Sequence, residues 1–301
     1  MNNKGKASFS YLLSLTLVVS ISLGLVGLQG IARADQASSS ATVTNSLPVA
    51  SSVTISGGET ITLTENATTT ATVTFTVTDN NTCSDIGAST TAVLHTTASG
   101  SACSPDNANC YSMTCGAIAN CTGGADTIGD FTCTAPLEFY ADPAVWTVTV
   151  TPKDNAGAGA TSTDTATVAA LTALDVTSSI AYGALALGAD TATADQTTTV
   201  TNTGNGQIDV QVDGYGASDG DGYSMACTVG NITIGNEKFH LSASTAYASK
   251  IALTDTAATQ AAFDLAKGAA STKAVYWGFG MPASGVSGSC TGYVNFTAVS
   301  G

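Results

Sequence analysis

Apolar and polar residues alternate along most of this chain. In ATVTFTVT, residues 71–78, the side chains of Val73, Phe75 and Val77 fall on one face and the threonines fall on the other. WTVTVT, residues 146–151, alternates in the same way. A period of two predicts half-buried β-strands, and threonine suits their solvated outer faces because it is β-branched and hydroxylated. Further strands are predicted around residues 53–55, 61–63, 208–212, 275–279 and 294–296.

The helical period is nearly absent. TQAAFDLAKG, residues 259–268, is the best candidate, because Phe263 and Leu265 would share one face of a short helix that ends at Gly268. The other periodic segments are short and are bounded by turn-forming residues at the spacing typical of β-sandwiches. The sequence therefore predicts an all-β protein.

The length indicates two domains. About 267 residues follow the N-terminal leader described below, and domains of roughly 100 to 150 residues are the most common. We expect one β-sandwich with a disulfide-rich insert over residues 47–170 and a second over residues 171–301. The boundary should lie near residues 169–175, where the last strand of the first unit runs into the second.

The second unit resembles a known architecture. Its order of Tyr182-Gly183, Leu185, Leu187-Gly188, then TTTVTNTGN and IDVQV, resembles immunoglobulin-like modules of prokaryotic surface proteins. It is also loosely similar to the TasA-type biofilm filament subunits. The first unit, with TDNNTCSDI, the cysteine loop and FTCTAPLEFYADPAVWTVTVTPKDNAG, resembles the N-terminal half of uncharacterised secreted prokaryotic surface proteins with two tandem Ig-like β-sandwich domains, and the resemblance covers most of residues 47–301. The resemblance implies two tandem Ig-like antiparallel sandwiches and, by analogy of fold alone, a filament role.

The N-terminus predicts export. Two lysines precede an apolar run at residues 11–28, and Ala32-Arg33-Ala34 then supplies small residues two positions apart. This pattern is typical of a signal peptide, residues 1–34, cleaved to give a secreted, cell-surface-associated chain without a stable membrane span. An uncleaved anchor is the alternative, because the run nearly matches the thickness of a bilayer.

Cleavage would leave residues 35–46, DQASSSATVTNS, at the new N-terminus. We expect a flexible segment, because small polar residues seldom order themselves. The alternative is a strand that adds to the open sheet edge of a neighbouring molecule.

Charge excludes one class of partner. Of eight basic residues, three lie in the predicted leader, so five lysines and no arginine would face 22 acidic residues, a formal net charge of −17. Nucleic acid binding requires clustered Lys and Arg, so we expect no nucleic acid partner. Divalent cations suit an acidic secreted protein better.

All eight cysteines follow the leader, an even number in an oxidising destination, which favours disulfides. The spacing C-x6-C-x4-C-x5-C over residues 103–121 matches no structural zinc site, and no C-x-x-C occurs. Six cysteines in the first unit allow fifteen connectivities that the sequence cannot separate. Our preferred arrangement is Cys83 with Cys133, Cys103 with Cys110, Cys115 with Cys121, and Cys227 with Cys290.

Calcium is the one candidate cofactor. Hard cations bind clustered oxygen ligands on loops, and three loops of the first unit carry such residues: Asp79, Asn81, Asp85, Asp106, Asp142 and Asp154. A further group, Asp213, Asp219 and Asp221, lies in the second unit, and none of these loops matches an EF-hand. The alternative is that Asp and Asn simply form turns here.

No catalytic residue is predicted. GASDG, residues 216–220, fits G-x-S-x-G with Ser218 as nucleophile, but the strand-to-helix turn that this motif requires is missing. His95 and His240 each lie in a strand, and the glutamates, Glu237 among them, are expected to be exposed.

We therefore predict a secreted, non-enzymatic structural or adhesive protein, with self-association by strand addition as one route. The alternative is a module whose loops bind glycans or another surface protein, with Tyr111 and Met113 at the centre of the contact. An extracellular hydrolase is the remote alternative.

Overall fold

The computed structural model of this chain describes residues 37–56, 60–87, 89–177 and 179–301. The predicted signal peptide, residues 1–34, lies outside the described residues. The chain divides into a unit of residues 1–44 and a compact unit of residues 45–301. None of the described helical segments has the length and apolar character needed to cross a membrane.

The compact unit is built of strands. The first group is β1 (Val49–Ile55), β2 (Thr60–Ile61), β3 (Thr69–Thr78), β4 (Thr91–Thr96), β5 (Cys110–Ser112), β6 (Thr114–Cys115), β7 (Ile128–Leu137), β8 (Val145–Thr151) and β9 (Ser162–Val168). The second group is β10 (Leu174–Val176), β11 (Gln196–Asn202), β12 (Ile208–Tyr215), β13 (Tyr223–Val229), β14 (Asn231–Thr233), β15 (Glu237–His240), β16 (Ile251–Ala252), β17 (Ala258–Leu265), β18 (Thr272–Phe279), β19 (Ser287–Thr291) and β20 (Tyr293–Ser300). Single 3-10 turns occur at Cys83–Asp85, Ile234–Asn236 and Tyr247–Ser249. The predicted all-β fold class is confirmed.

The first sandwich packs the sheet β1-β3-β7-β6 against the sheet β2-β9-β8-β4-β5. The alternation in β3 and β8 has the expected consequence, because every second side chain in both strands is buried. Phe75 of β3 stacks on Phe131 of β7 with 5.4 Å between ring centroids, and Trp146 of β8 is fully buried. One hydrophobic cluster therefore fills the space between these two sheets.

The second sandwich opposes a five-stranded sheet, β10-β11-β18-β15-β16, to a three-stranded sheet, β17-β12-β20. Its separate core includes Val210, Phe263, Val275 and Trp277. Trp277 is fully buried, and its indole Nε1 donates a hydrogen bond to Thr198 Oγ1 at 2.9 Å. A smaller sheet, β14-β13-β19, adjoins these layers.

The TNTGN turn, residues 201–205, connects the second sandwich to the segment that leaves the first. Asn205 is buried; its Oδ1 accepts the Leu171 N–H at 2.7 Å and its Nδ2 donates to Ala169 O at 2.9 Å. A Cβ on Gly204 would lie 2.1 Å from Leu171 O, so only glycine fits there. This turn therefore fixes the backbone at the predicted domain boundary.

The predicted helix at residues 259–268 is wrong. Those residues contribute most of β17, which pairs with β12 in antiparallel register. Phe263 and Leu265 are buried, whereas Asp264 between them is exposed, so the two apolar side chains follow the strand period rather than the helical one. The edge of β12 supplies backbone partners, and tertiary pairing overrides the weak helix propensity of the segment.

Candidate functional site

The second sandwich has one open side. Strand β20 pairs with β12 over eight consecutive residues, from Tyr293 to Ser300, without a shift in register. Among the described strands, none pairs with the other edge of β20. Val294, Phe296 and Ala298 alternate along β20 and pack, partly buried, against the core. Part of the apolar face of β20 is thus left uncovered.

A groove runs along this side between β20 and β10. One cavity of about 410 Å³ has Val176, Ile180, Met225, Val294 and Phe296 among its lining residues, together with polar ones such as Thr198 and Glu237. A second cavity of about 470 Å³ lies along residues 180–185 and shares Ile180 and Met225 with the first. The segment that would close a sandwich here is irregular, so the core is reached from outside along these two cavities, whose linings combine apolar and polar groups.

Glu237 lies at the floor of the groove. It is buried, and its Oε1 accepts a hydrogen bond from the Tyr182 hydroxyl at 2.7 Å. Burial raises the pKa of Glu237 to about 7, although the hydrogen bond from Tyr182 acts in the opposite direction. Burial also raises the pKa of Tyr182 well above its usual range. The expectation that Glu237 is exposed was therefore wrong.

A disulfide borders the same groove. Cys227 of β13 and Cys290 of β19 lie directly opposite each other and are bonded, and Cys290 lines both cavities. Only Gly292 separates β19 from β20. The bond therefore fixes the strand that leads into the open edge.

The four disulfides agree with half of the preferred pairing. The pairs Cys103–Cys110 and Cys227–Cys290 are as expected. The other two pairs are exchanged relative to the preferred arrangement: Cys83 bonds Cys121, and Cys115 bonds Cys133. The cause is strand register, because β6 pairs with β7 so that Cys115 lies directly opposite Cys133.

The residues named for calcium separate into two groups at opposite ends of β8. At one end, Ser46 N donates to Asn81 Oδ1 at 2.7 Å and Asn45 Nδ2 donates to Asp154 Oδ2 at 2.6 Å. Asp79 joins this group because its Oδ1 accepts the Asn81 N–H at 2.8 Å. Asp85 joins it through the amide of Asn155, which neighbours Asp154. Asn45 and Ser46, expected to be flexible, are thus tied to the first sandwich.

Asp106 and Asp142 lie at the other end of β8. Burial acts to raise the pKa of Asp106, but hydrogen bonds from the backbone N–H groups of residues 108–110 lower it. The carboxylate of Asp142 is paired with the ammonium group of Lys267. Both side chains have partners within the protein, as turn-forming and ion-paired residues do.

No three His, Cys, Asp or Glu side chains of the described residues form a group able to hold a metal. In the second unit, Asp221 accepts hydrogen bonds from backbone N–H groups of its own turn, the strongest from Ala217, which lower its pKa to about 2. Asp213 accepts the Asn295 amide at 2.9 Å. Asp221 therefore serves its turn and Asp213 the sheet, whereas Asp219 lines a surface cavity with Asp213 and Asp255.

The residues considered for chemistry are held apart. Ser218 lies in the turn that Asp221 organises, and its own N–H donates to that carboxylate. The His95 ring contacts Thr96 O and Thr149 Oγ1, and His240 Nδ1 contacts Ser242 N and Thr245 Oγ1. Neither ring has a carboxylate or Ser218 among its hydrogen-bond partners in the described part of the chain.

The proposed contact centre of the glycan-binding alternative is also misplaced. Tyr111 and Met113 are both buried in the first core. The Tyr111 hydroxyl accepts the Glu138 N–H at 3.0 Å and donates to Asn107 O at 2.5 Å. Both side chains therefore stabilise the insert rather than present a binding surface.

No family model matches this chain, and no curated protein matches it. Among solved structures, the CsuC–CsuE chaperone–tip adhesion subunit pre-assembly complex of the archaic chaperone-usher Csu pili of Acinetobacter baumannii is 9% identical, with a TM-score of 0.38 over 82% of this chain and 99% of that chain. A chaperone–tip adhesin complex of CFA/I fimbriae biogenesis is 11% identical, with a TM-score of 0.28 over 83% and 80%. The secreted serine protease VesC from Vibrio cholerae is 10% identical, with a TM-score of 0.18 over 80% of this chain and 49% of that chain. All three TM-scores lie below 0.5, so function has to be argued from the residues of this chain.

Proposed function

We propose that this protein is a secreted, non-enzymatic structural or adhesive protein of the cell surface or extracellular matrix, and that its subunits assemble by strand addition. The acceptor is the open edge of β20 together with the groove beside it. The donor is the N-terminal segment of a second copy. This is the filament role that the TasA-type resemblance implies, and the open edge of β20 supports it.

The observation that carries the proposal is the character of β20 as an edge strand. Exposed sheet edges are templates for pairing with another chain, and proteins blunt them with short strands, bulges, lysine or proline. The other edges here are blunted by shortness, as in β2, β5, β6, β10, β14 and β16, or by register shifts, as in β1, β17 and β19. Strand β20 is eight residues long, is regular, and contains no charged residue and no proline.

The donor segment has the sequence of a strand but no strand partner. Residues 37–44 are exposed and have no regular secondary structure, and Val43 is 82% exposed. Their last four residues, ATVT, repeat the ATVT that begins at Ala71 in β3, where Ala71 and Val73 are fully buried. The same four residues therefore form a buried strand once a sheet edge is available.

The two surfaces match in length and charge. Eight described residues, 37–44, would lie along the eight residues of β20, about 26 Å of strand. Neither segment carries a charge, although the mature chain is strongly acidic, so pairing brings no like charges together. Ala41 and Val43 would face the groove lined by Val294 and Phe296, and main-chain hydrogen bonds would supply affinity.

Negative-stain microscopy and light scattering of the secreted chain, at increasing concentration, test the proposal. We expect oligomers or filaments from the natural sequence. Val43→Asp should abolish them, because it places a charge in the apolar groove. Thr42→Asp is the matched control, since it adds the same charge on the outer face and should still assemble.

A peptide of residues 35–44 gives a second readout. It should inhibit assembly when added in excess, and the same peptide carrying Val43→Asp should not. A natural chain that stays monomeric at every concentration would contradict strand addition. A monomer that binds an immobilised glycan would instead favour the surface-binding alternative, for which the stacked pair Tyr215 and Tyr293, the latter 61% exposed, offers an aromatic surface.

A further inference from the structure

Asp79 continues the inward-facing series of β3. Every second residue of that strand is buried, ending with Phe75 and Val77, and Asp79 follows in the same phase with no accessible surface. Its carboxyl group is therefore turned toward the end of the first core rather than toward solvent. An aspartate in this phase is unusual, since burying a carboxylate is costly unless it is paired.

The protein partners of Asp79 are incomplete. Oδ1 accepts the Asn81 N–H at 2.8 Å, whereas Oδ2 is buried and has no hydrogen-bond partner among the described residues. The ion pairs formed within the described chain are Lys250–Asp195 and Lys267–Asp142, so neither involves Asp79. A buried carboxylate oxygen with no donor and no cationic side chain calls for an explanation, and an ion from solution is one.

The surroundings of Asp79 are rich in oxygen ligands. The hydrogen bonds through Asn45 and Ser46 hold Asn81 and Asp154 at the same corner, and Asp85 lies beside it through Asn155. We define Asp79, Asn81, Asp85 and Asp154 as the β3–β8 corner. Its Asp and Asn oxygens are hard ligands, which suit calcium or magnesium rather than zinc.

We infer that the β3–β8 corner binds a calcium ion, with the Asp79 carboxylate as its central ligand. Asp79 supplies the unpartnered oxygen, and amide and backbone oxygens complete the set, because three carboxylates do not converge here. Extracellular modules of this kind bind calcium with dissociation constants of about 0.1 to 1 mM. The site lies in the first sandwich and is independent of strand addition at β20.

Thermal unfolding of the secreted chain in EGTA and in 10 mM calcium tests the inference. With a Kd of about 1 mM, 10 mM calcium would favour the native state about 11-fold. That change corresponds to a rise in Tm of roughly 3 to 6 °C for a domain of this size. Calorimetric titration should find about one calcium ion per chain, in line with a single carboxylate-centred site.

Asp79→Asn separates binding from simple damage to the fold. Without calcium, the variant should be at least as stable as the natural chain, because the substitution removes a buried charge and keeps the shape. With calcium, it should lose both the Tm shift and the bound ion. Asp106→Asn, at the opposite end of β8, makes the same change of charge and should keep the full response.

Three results would overturn the inference. The first is a natural chain whose Tm is the same in EGTA and in calcium. The second is a calcium response that persists in Asp79→Asn. The third is a response lost in Asp106→Asn but kept in Asp79→Asn, which would place the ion at the other end of the sandwich.

Discussion

Replacing Glu237 by glutamine tests whether the floor of the groove holds a carboxyl group that charges at a cost in stability. Glutamine has nearly the same shape and can still accept the hydrogen bond from the Tyr182 hydroxyl. The substitution therefore removes the ability to ionise while leaving the packing around the groove in place. We expect Glu237→Gln to change how stability depends on pH rather than to weaken the fold.

The magnitude follows from the shift in pKa. The pKa of Glu237 is about 7 in the folded protein against an ordinary value of 4.5, and each unit corresponds to 1.36 kcal/mol. Because the folded state holds the Glu237 proton more tightly than the unfolded state, the contribution of Glu237 to stability is fully present below pH 4.5 and is lost as pH rises from about 4.5 to 7. The loss is about 3 kcal/mol above pH 7, and Glu237→Gln should escape it.

Urea unfolding followed by tryptophan fluorescence measures this difference, since Trp277 packs against Phe239 next to the groove. At pH 8 the variant should be about 3 kcal/mol more stable than the natural chain, and at pH 4 the two should agree within about 1 kcal/mol. Carboxylates with lowered pKa values, such as Asp221, reduce the stability of both proteins when they are protonated at low pH. Their effect is the same in both proteins, so it cancels in the difference between them. Glu65→Gln, at an exposed glutamate, is the control and should show no such difference.

The reasoning would be refuted if Glu237→Gln and the natural chain differed by the same amount at pH 4 and pH 8. A constant difference would show that glutamine alters packing only. A variant that is less stable than the natural chain at pH 8, by more than at pH 4, would show that the carboxylate is stabilised in the folded state, with a lowered rather than a raised pKa.

Two further substitutions test the scaffold. Asn205→Ala should reduce the free energy of unfolding by about 1 to 3 kcal/mol, because it removes the partners of two partly buried backbone groups, Leu171 N–H and Ala169 O; Gln207→Ala, at an exposed position of the same hairpin, should change it by less than about 0.5 kcal/mol. Replacing Cys227 and Cys290 together by alanine should cost about 4 kcal/mol in chain-entropy terms, because this bond spans 63 residues. Chemical denaturation under non-reducing conditions measures both effects, and a loss below about 1 kcal/mol in either variant would contradict its assignment.

The strands could be predicted from the sequence because alternation is a local property. β3 carries four apolar residues at period two and β8 carries three, and the structure buries all of them. The burial of Glu237 was readable by the same rule, since it stands two residues before Phe239 and shares its face. The expectation of exposure fails for Glu237 because the phase of a residue within a strand, rather than its charge, determines which face its side chain occupies.

The pairing of distant segments could not be predicted in the same way. The Cys115–Cys133 bond depends on the register between β6 and β7, and no residue within either strand specifies that register. The helix assigned to residues 259–268 failed for a related reason, because the partner strand β12 lies some fifty residues earlier. Likewise, the unpartnered oxygen of Asp79 and the open side of β20 exist only once the sheets are assembled.

The contrast between a rigid acceptor and an unstructured donor is what strand addition requires. Ordering the donor segment, residues 37–44, costs roughly 1 to 2 kcal/mol per residue in backbone entropy. The acceptor therefore has to be pre-formed, so that pairing has no second ordering cost to overcome. The unbroken register of β20 with β12 and the Cys227–Cys290 bond beside it provide that rigidity. The donor, in turn, must not fold back into a stable structure of its own, and a short run of alanine, serine and threonine meets that condition. If subunits assemble as proposed, the rigid part of the molecule is the acceptor edge, β20, and the part without regular structure is the donor segment.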